Sequence, residues 1–525
     1  MNESPSEVAP SNFGGVFNAD FQTVLARVLK SDEIPHNIDD KSQISAIKEL
    51  LDKLSLRTIV IETDYIDHDF IDDYARYYSR CFKTYSRFCR RFHFFSEVYE
   101  ETKLKEIIFK QDPAALDALQ KNYLGFAVIR PLSNTVIGRT CLLPLRDLNI
   151  REHSSLCDVH VSFFGCPLQV CCMPFQEQDK AVSACATSAL WSACQVTSSC
   201  FRHAALTPSG VTAVATEMGM SLGRTMPNIK GLTAPEMAYA IRSVGLDVVC
   251  INLKDAKTTV RSNYILGNVF SYLNLGLPII MVGALLDKVK GEHGIHAVCV
   301  NGYHLRDREL VHPNTLEAFD IEWLRVHDDQ VGPYSEFVRS KNVASDFTTP
   351  WKDPDREGEH FSFKVRYLLV PIYPKIRVSY DEIWGLAYAF NRLLRQFLPE
   401  LILKWSIKLV KNNEFKCYVR RANEIPETER MHILLRGLPK YIWKLAIVTG
   451  TSESMVFAID ATDSGQGLNV VATLVRSRDI LKSAGAMAGK FPGVGTDNVI
   501  YRTCLQLLRQ VAPIKRAAVK SNPAE

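Results

Sequence analysis

Short strand-like runs recur along the whole chain, separated by only a few helical stretches. Arg57–Thr63 (RTIVIET), Tyr123–Arg130 (YLGFAVIR), Asp247–Asn252 (DVVCIN) and Phe361–Pro371 carry the β-branched and aromatic residues that suit a pleated surface. Val159–Phe164, Leu168–Met173, Pro278–Val282, His296–Tyr303 and Ile321–His327 read the same way, as do Trp405–Val410, Glu414–Arg420, Ile442–Val448 and Met455–Ile459. Helices are expected over 45–55, over Asp67–Tyr99, from about Ala184, over Thr233–Val244 and over Tyr380–Phe397. Thr233 with Glu236 makes a capping box, and Gly245 stops that helix. The pattern predicts an α+β protein, and 525 residues at about 150 per domain predict three or four domains.

Composition narrows the function classes. Hydrophobic residues make up 46% and charged residues 23%, an ordinary globular balance. A net charge of +4 is too small to make nucleic acid or an anionic membrane the main partner. The longest apolar candidate, Leu277–Leu286, is short and holds Pro278 and Gly283, so no membrane span is expected. Met1–Val16 lacks the basic start and apolar stretch of a secretory signal, and a cytoplasmic address is expected. The fourteen cysteines fit that address as reduced small hydrophobes. Cys171-Cys172, with Cys157 and Cys166, lacks the CxxC spacing that lets thiolates converge on zinc, so no metal and no cofactor is expected. The glycines at 485, 489, 493 and 495 carry no phosphate-loop lysine.

Three islands carry the chemistry. In the first, Cys185 follows the polar connection Gln176–Ser183 and opens a helix through Ala184, Ala186, Ser188, Leu190 and Trp191. A thiol attacks as its thiolate, and the unpaired N–H groups at the start of a helix favour negative charge. Gln178, seven positions upstream, places an amide where it can donate to an oxyanion beside the Cys185 N–H, and Gln176 is a second candidate for that role. The second island, Gly294–Tyr303, sets His296 at the head of an alternating strand as a rigidly mounted base, with His293 as a competitor in the preceding loop. The third, Val326–Tyr334, ends a strand in Asp328 and Asp329 before Gly332-Pro333. Either carboxylate can fix the histidine tautomer, and Asp328, which directly continues the strand, is favoured.

The order glutamine, cysteine, histidine, aspartate resembles the papain-like cysteine peptidase superfamily, closest to the bacteriocin-leader-peptidase-like (C39-like) bacterial proteins. The likeness extends to the small-residue helix after Cys185, to Gly231-Leu232-Thr233, to Leu277-Pro278-Ile279-Ile280 and to the strand from His296 to Tyr303. It covers about a third of the chain. Ala186 replaces the family's usual glycine, the Gln178–Cys185 interval is one residue longer than usual, and the 111 positions from Cys185 to His296 exceed those of compact members.

The resemblance implies a thiol hydrolase cleaving a peptide or isopeptide bond through Cys185, His296, Asp328 and Gln178. An acyltransferase using the same residues and a non-catalytic interaction protein that keeps the fold are the alternatives. The domains expected are a loose tail at 1–20, an N-terminal α/β recognition region at 21–155, a papain-like core at 156–345 and a C-terminal α+β region at 346–525. The aromatic and basic run Tyr77–Phe95 is read as an amphipathic helix that docks a partner protein, with Arg90 and Arg91 on its binding side. The N-terminal region is expected to do no chemistry.

Overall fold

The computed structural model describes residues 11–30, 41–145, 151–179, 184–217, 231–287, 291–306, 316–341, 346–352, 358–397, 403–450, 452–463 and 467–476, with a few single positions between them. Helix and strand take nearly equal shares, 35% and 36%, in an α+β arrangement built on three main sheets.

The first unit contains β1 (Phe13–Phe17), α1 (Phe21–Leu29), α2 (Ser42–Lys53), β2 (Thr58–Tyr65), α3 (His68–Arg76), β3 (Cys89–Phe95), α4 (Glu101–Lys110), α5 (Pro113–Lys121), β4 (Tyr123–Ile129) and β5 (Ile137–Leu142). Strands β1 to β5 form one antiparallel sheet in chain order. Each face of it is covered. Phe92 and Phe94 of β3 pack with Phe21, Leu25, Ile47 and Leu51 of the first two helices, whereas Phe95 packs with Leu104, Leu119 and Tyr123 on the other side. A strand buried on both faces has no polar stripe, which is why Tyr77–Phe95 misleads as an amphipathic helix. Helix α3 ends at Arg76, and the aromatic residues after Phe88 go into β3. Arg91 is correspondingly not a docking residue: it is 7% exposed and tied to Glu62 and the Ser162 carbonyl. The expected tail also shortens, because β1 pairs with β2 and α1 starts at Phe21, while residues 1–10 lie outside the described residues.

A short strand β6 (Arg151–Ser154) and a hairpin of β7 (Cys157–Phe163) and β8 (Cys166–Cys172) follow. The hairpin was expected in the middle domain. Its apolar face, Val161, Phe163, Leu168 and Val170, instead joins the core around Phe95 and Tyr123, so it completes the first unit. Strand β6 behaves in the opposite way and pairs with the central sheet.

The central unit holds α6 (Cys185–Phe201), α7 (Pro208–Thr216), α8 (Ala234–Ser243), β9 (Asp247–Asn252), α9 (Thr258–Leu273), β10 (Ile279–Leu286), β11 (Glu292–Leu305), β12 (Ile321–Asp328), β13 (Gly332–Arg339), β14 (Asp346–Lys352) and β15 (His360–Ile372). Antiparallel neighbours run from β10 to β15 in chain order, and β15 returns to pair with β10, closing a six-stranded barrel. Thus β14 and β15, assigned by the sequence to the C-terminal region, are barrel staves. Helices α6 to α8 pack Ala189, Leu190, Ala193, Met237 and Ile241 on the outer residues Ile280, Val282, Ala297 and Cys299 of the barrel. Both capping-box bonds of Thr233 and Glu236 are made.

The last unit is α10 (Tyr380–Phe397), β16 (Lys404–Lys411), α11 (Asn412–Arg421), α12 (Glu427–Leu435), β17 (Tyr441–Thr449), β18 (Ser452–Asp460) and β19 (Val470–Val475), with the four strands in one antiparallel sheet. Glu414–Arg420, expected as a strand, lies in α11. Its alternation of charged and apolar residues also places Phe415 and Val419 at i and i+4, and those two are buried together. The glycines after residue 480 lie outside the described residues.

Candidate functional site

Cys185 is the first residue of α6, with Ala184 as N-cap in extended backbone. The first N–H groups of a helix have no intrahelical acceptor, so they point outward beside the thiol. The approach to this helix is fastened at several points. The Asp179 carboxylate accepts from the Ala181 and Val182 amides at 2.9 and 2.8 Å and from the Tyr78 hydroxyl at 2.9 Å. The Val182 carbonyl accepts from Thr212 Oγ1 of α7 at 2.7 Å. Cys185 is half-buried, whereas Cys89, Cys157, Cys172, Cys194 and Cys299 are buried and their thiols pushed up by that burial.

His296 lies within β11, where the strand passes from exposed to buried residues. The strand starts four residues earlier than the sequence suggests, and His293 is on it as well. His293 is the extra residue where the β10–β11 register shifts, and its ring engages Asp287 and stands edge-on to Phe361. In the register, His296 stands opposite Gly283 of β10. A methyl group on Gly283 would come within 2.5 Å of the Phe363 ring and 2.7 Å of the Lys364 carbonyl, so glycine lets these strands close there.

The two aspartates separate cleanly. His296 Nε2 meets Asp328 Oδ1 at 2.9 Å, and Asp329 Oδ1 stands back at 3.8 Å. The Cys185 side chain stands beside the His296 ring, close enough to help raise it. With Nε2 engaged by Asp328, Nδ1 is the nitrogen left for sulfur. Asp328 is fully buried and well supplied with donors: the Gln330 amide reaches Oδ1 at 3.0 Å, and Trp351 Nε1 reaches Oδ2 at 2.7 Å. The Trp351 ring stands edge-on to the imidazole, with centroids 5.1 Å apart.

These contacts set the charges. Burial pulls the His296 imidazolium down. The Asp328 charge and hydrogen bond, the Cys185 side chain and the Asp329 charge outweigh it and hold the ring well above the usual histidine range. For Asp328, burial acts upward, but His296, Trp351 and the Gln330 amide together keep it below the ordinary carboxylate range. Asp329 is raised to about 6, by burial first and by the Asp328 charge, against the pull of His296. The site therefore favours an imidazolium gripped by Asp328.

No protein-family model matches the chain, and no curated protein matches it.

The two glutamines differ. Gln178 is half-buried on the approach loop. Gln176 is 3% exposed, and its Nε2 donor is buried without an acceptor among the described residues. An orphaned buried N–H is costly, and a ligand oxygen is one way to satisfy it.

Among the described residues, His296, Asp328 and Asp329 are the group whose ligand atoms converge closely enough for a cation, within 4.8 Å of one another. A cation there would compete with the His296–Asp328 bond and with the Trp351 and Gln330 donors already on Asp328. No helix of the described residues is long and apolar enough to cross a membrane.

Trp351 was not among the residues that the sequence singled out. The signal was period two: Phe347, Thr349 and Trp351 alternate with Thr348, Pro350 and Lys352, and Phe347 and Thr349 are buried. Gln43 was not among them either. This α2 side chain donates to the Asp329 carbonyl at 2.8 Å, so the first unit does reach the acid end of the site.

Proposed function

We propose that the central unit is a papain-like thiol hydrolase that cleaves a peptide or isopeptide bond. The observation that carries this reading is the single imidazole hydrogen-bonded on one side to a buried carboxylate, with a helix-opening cysteine beside the ring. A helix bearing the nucleophile, packed against a barrel bearing the base, is also what that fold requires.

The chemistry follows from the positions. Cys185 passes its proton to His296, and Asp328 stabilises the imidazolium that forms. The thiolate sulfur bonds to the scissile carbonyl carbon, and the carbonyl π electrons move onto oxygen. The Cys185 N–H and a side-chain amide, from Gln178 or from the unsatisfied Gln176, donate to that oxyanion. On collapse the C–N bond breaks, and the leaving amine takes the His296 proton. Water then gives a proton to His296 and its oxygen attacks the thioester carbon, which releases the acid and restores the thiol. An amine in place of water makes the second half an acyl transfer.

Brief iodoacetamide treatment of the folded protein, with mass-spectrometric mapping, tests the assignment. Cys185 is expected to be labelled ahead of Cys250 and Cys417, which are more exposed. His296→Ala should abolish that lead. A Cys185 that reacts more slowly than Cys417 would remove the catalytic reading and leave a non-catalytic interaction protein.

A further inference from the structure

Helix α2 of the first unit lies directly against the turn that carries the acid of the site. Gln43, 7% exposed, donates from Nε2 to the Asp329 carbonyl oxygen at 2.8 Å. That carbonyl belongs to the same planar peptide group as the Gln330 amide, which donates to Asp328 Oδ1 at 3.0 Å. One peptide plane is therefore held at its oxygen by Gln43, and it presents its N–H to the carboxylate that grips His296. One turn along the helix, Ala46 faces Gly332, where an added Cβ would stand 2.5 Å from the Ala46 methyl. Beyond these contacts the two elements part around a cavity of about 280 Å³, bordered by Leu50, Lys53, Val331, Tyr334 and Pro350. The junction thus rests on few groups.

We infer that Gln43 is a positioning residue for the Cys185–His296–Asp328 site, and that the first unit controls the site by aligning the 329–330 peptide through α2. The inference rests on the proposed hydrolase reading. It replaces the expectation of a first unit with no part in the chemistry by an indirect part: Gln43 touches neither substrate nor sulfur and acts through Asp328. The groups facing the imidazole are Asp328, Asp329, Cys185 and Trp351, and Gln43 is one peptide removed from the first of these.

The test is the pH profile of Cys185 alkylation by iodoacetate in the full chain. This anionic reagent is drawn by the imidazolium, so the alkaline limb of the profile reports loss of the His296 proton. Gln43→Met removes the donor at similar volume, and Gln43→Leu removes it without adding charge. Both are expected to move the limb toward lower pH and to slow labelling near pH 8 about 3- to 10-fold, the worth of one buried hydrogen bond. Lys53→Ala, on the exposed side of the same helix, should retain the wild-type profile. Rapid Cys185 labelling with the same limb in Gln43→Met and Gln43→Leu would overturn the inference and leave the hydrolase reading standing. If Cys185 shows no preferential labelling in the wild-type protein, the hydrolase reading falls and the inference with it. Should Gln43→Met not fold, Gln43→Leu against Lys53→Ala decides the matter.

Discussion

Replacing Asp329 with asparagine should make the protein more stable, and only above mildly acidic pH. Asp329 is 3% exposed, and its carboxyl is raised from an ordinary 3.8 to about 6, by burial first and then by Asp328. The sign follows from linkage. A carboxyl with a raised value in the folded state holds its proton more tightly there, so stability from that protonation is complete below pH 4 and is lost as pH rises through 6. Full ionisation then costs the folded state about 3 kcal/mol. Asparagine has the same shape, cannot ionise, and its carbonyl can still accept from Gln330 Nε2, which now donates to Oδ2 at 2.9 Å. At pH 8 the urea midpoint of Asp329→Asn should therefore exceed that of the wild type, by on the order of 1 M. At pH 4 the two should coincide. Asp328→Asn should destabilise the protein across that whole window. Its carboxyl is held low by His296 and its other donors against burial, so the wild type keeps the gain from its charge down to the ordinary carboxylate range and loses it only below. Equilibrium unfolding in urea between pH 4 and pH 8 reads both variants. An Asp329→Asn protein less stable than the wild type at pH 8, or shifted equally at every pH, would refute the reasoning.

Two further outcomes follow from single contacts. Trp351→Phe keeps an aromatic ring against His296 but removes the 2.7 Å donor to Asp328, a hydrogen bond to a charged group worth about 1.5–3 kcal/mol. Cys185 labelling and turnover should fall roughly 10- to 100-fold with little change in circular dichroism, and wild-type rates would contradict this role. Gly125→Ala places a Cβ 1.9 Å from the Cys141 carbonyl at a φ of +123°, so β4 and β5 must separate. The variant should lose several degrees of melting temperature or fail to accumulate, and an unchanged melting curve would show that these strands tolerate the shift.

What could be read from the chain depended on how local the signal was. The β11 run around His296 and the capping box at Thr233 announce themselves within a few residues, because period-two alternation and side-chain caps are short-range physics. Cys185 and Asp328 could be singled out because each sits at a recognisable end of an element, and His296 because it opens the alternating part of its strand. Asp328 was favoured but could not be separated cleanly from Asp329, since neighbours on a strand end differ only in direction, and the Trp351 indole that singles out Asp328 comes from another strand. Domain limits failed for the same reason. An amphipathic hairpin such as β7–β8 needs some apolar face to cover it, and nothing in Val161 or Phe163 states that the face belongs to β3 and β4 and not to the barrel. Phe92 and Phe94 misled because a doubly buried strand and an aromatic helix share one composition.

The barrel's closure by its last stave gives the site a history during synthesis. Cys185 is made 166 residues before Trp351, and β15, which locks the barrel by pairing back to β10, comes later still. At about 5–20 residues per second, roughly 10–30 s separate the thiol from the indole that steadies its acid. Throughout that interval the nascent chain carries a cysteine whose imidazole is either unmade or unbraced. On the proposed hydrolase reading, the order of translation therefore acts as a delay, and a growing chain presents its own peptide bonds, and those of its neighbours on the ribosome, to a thiol that is not yet armed.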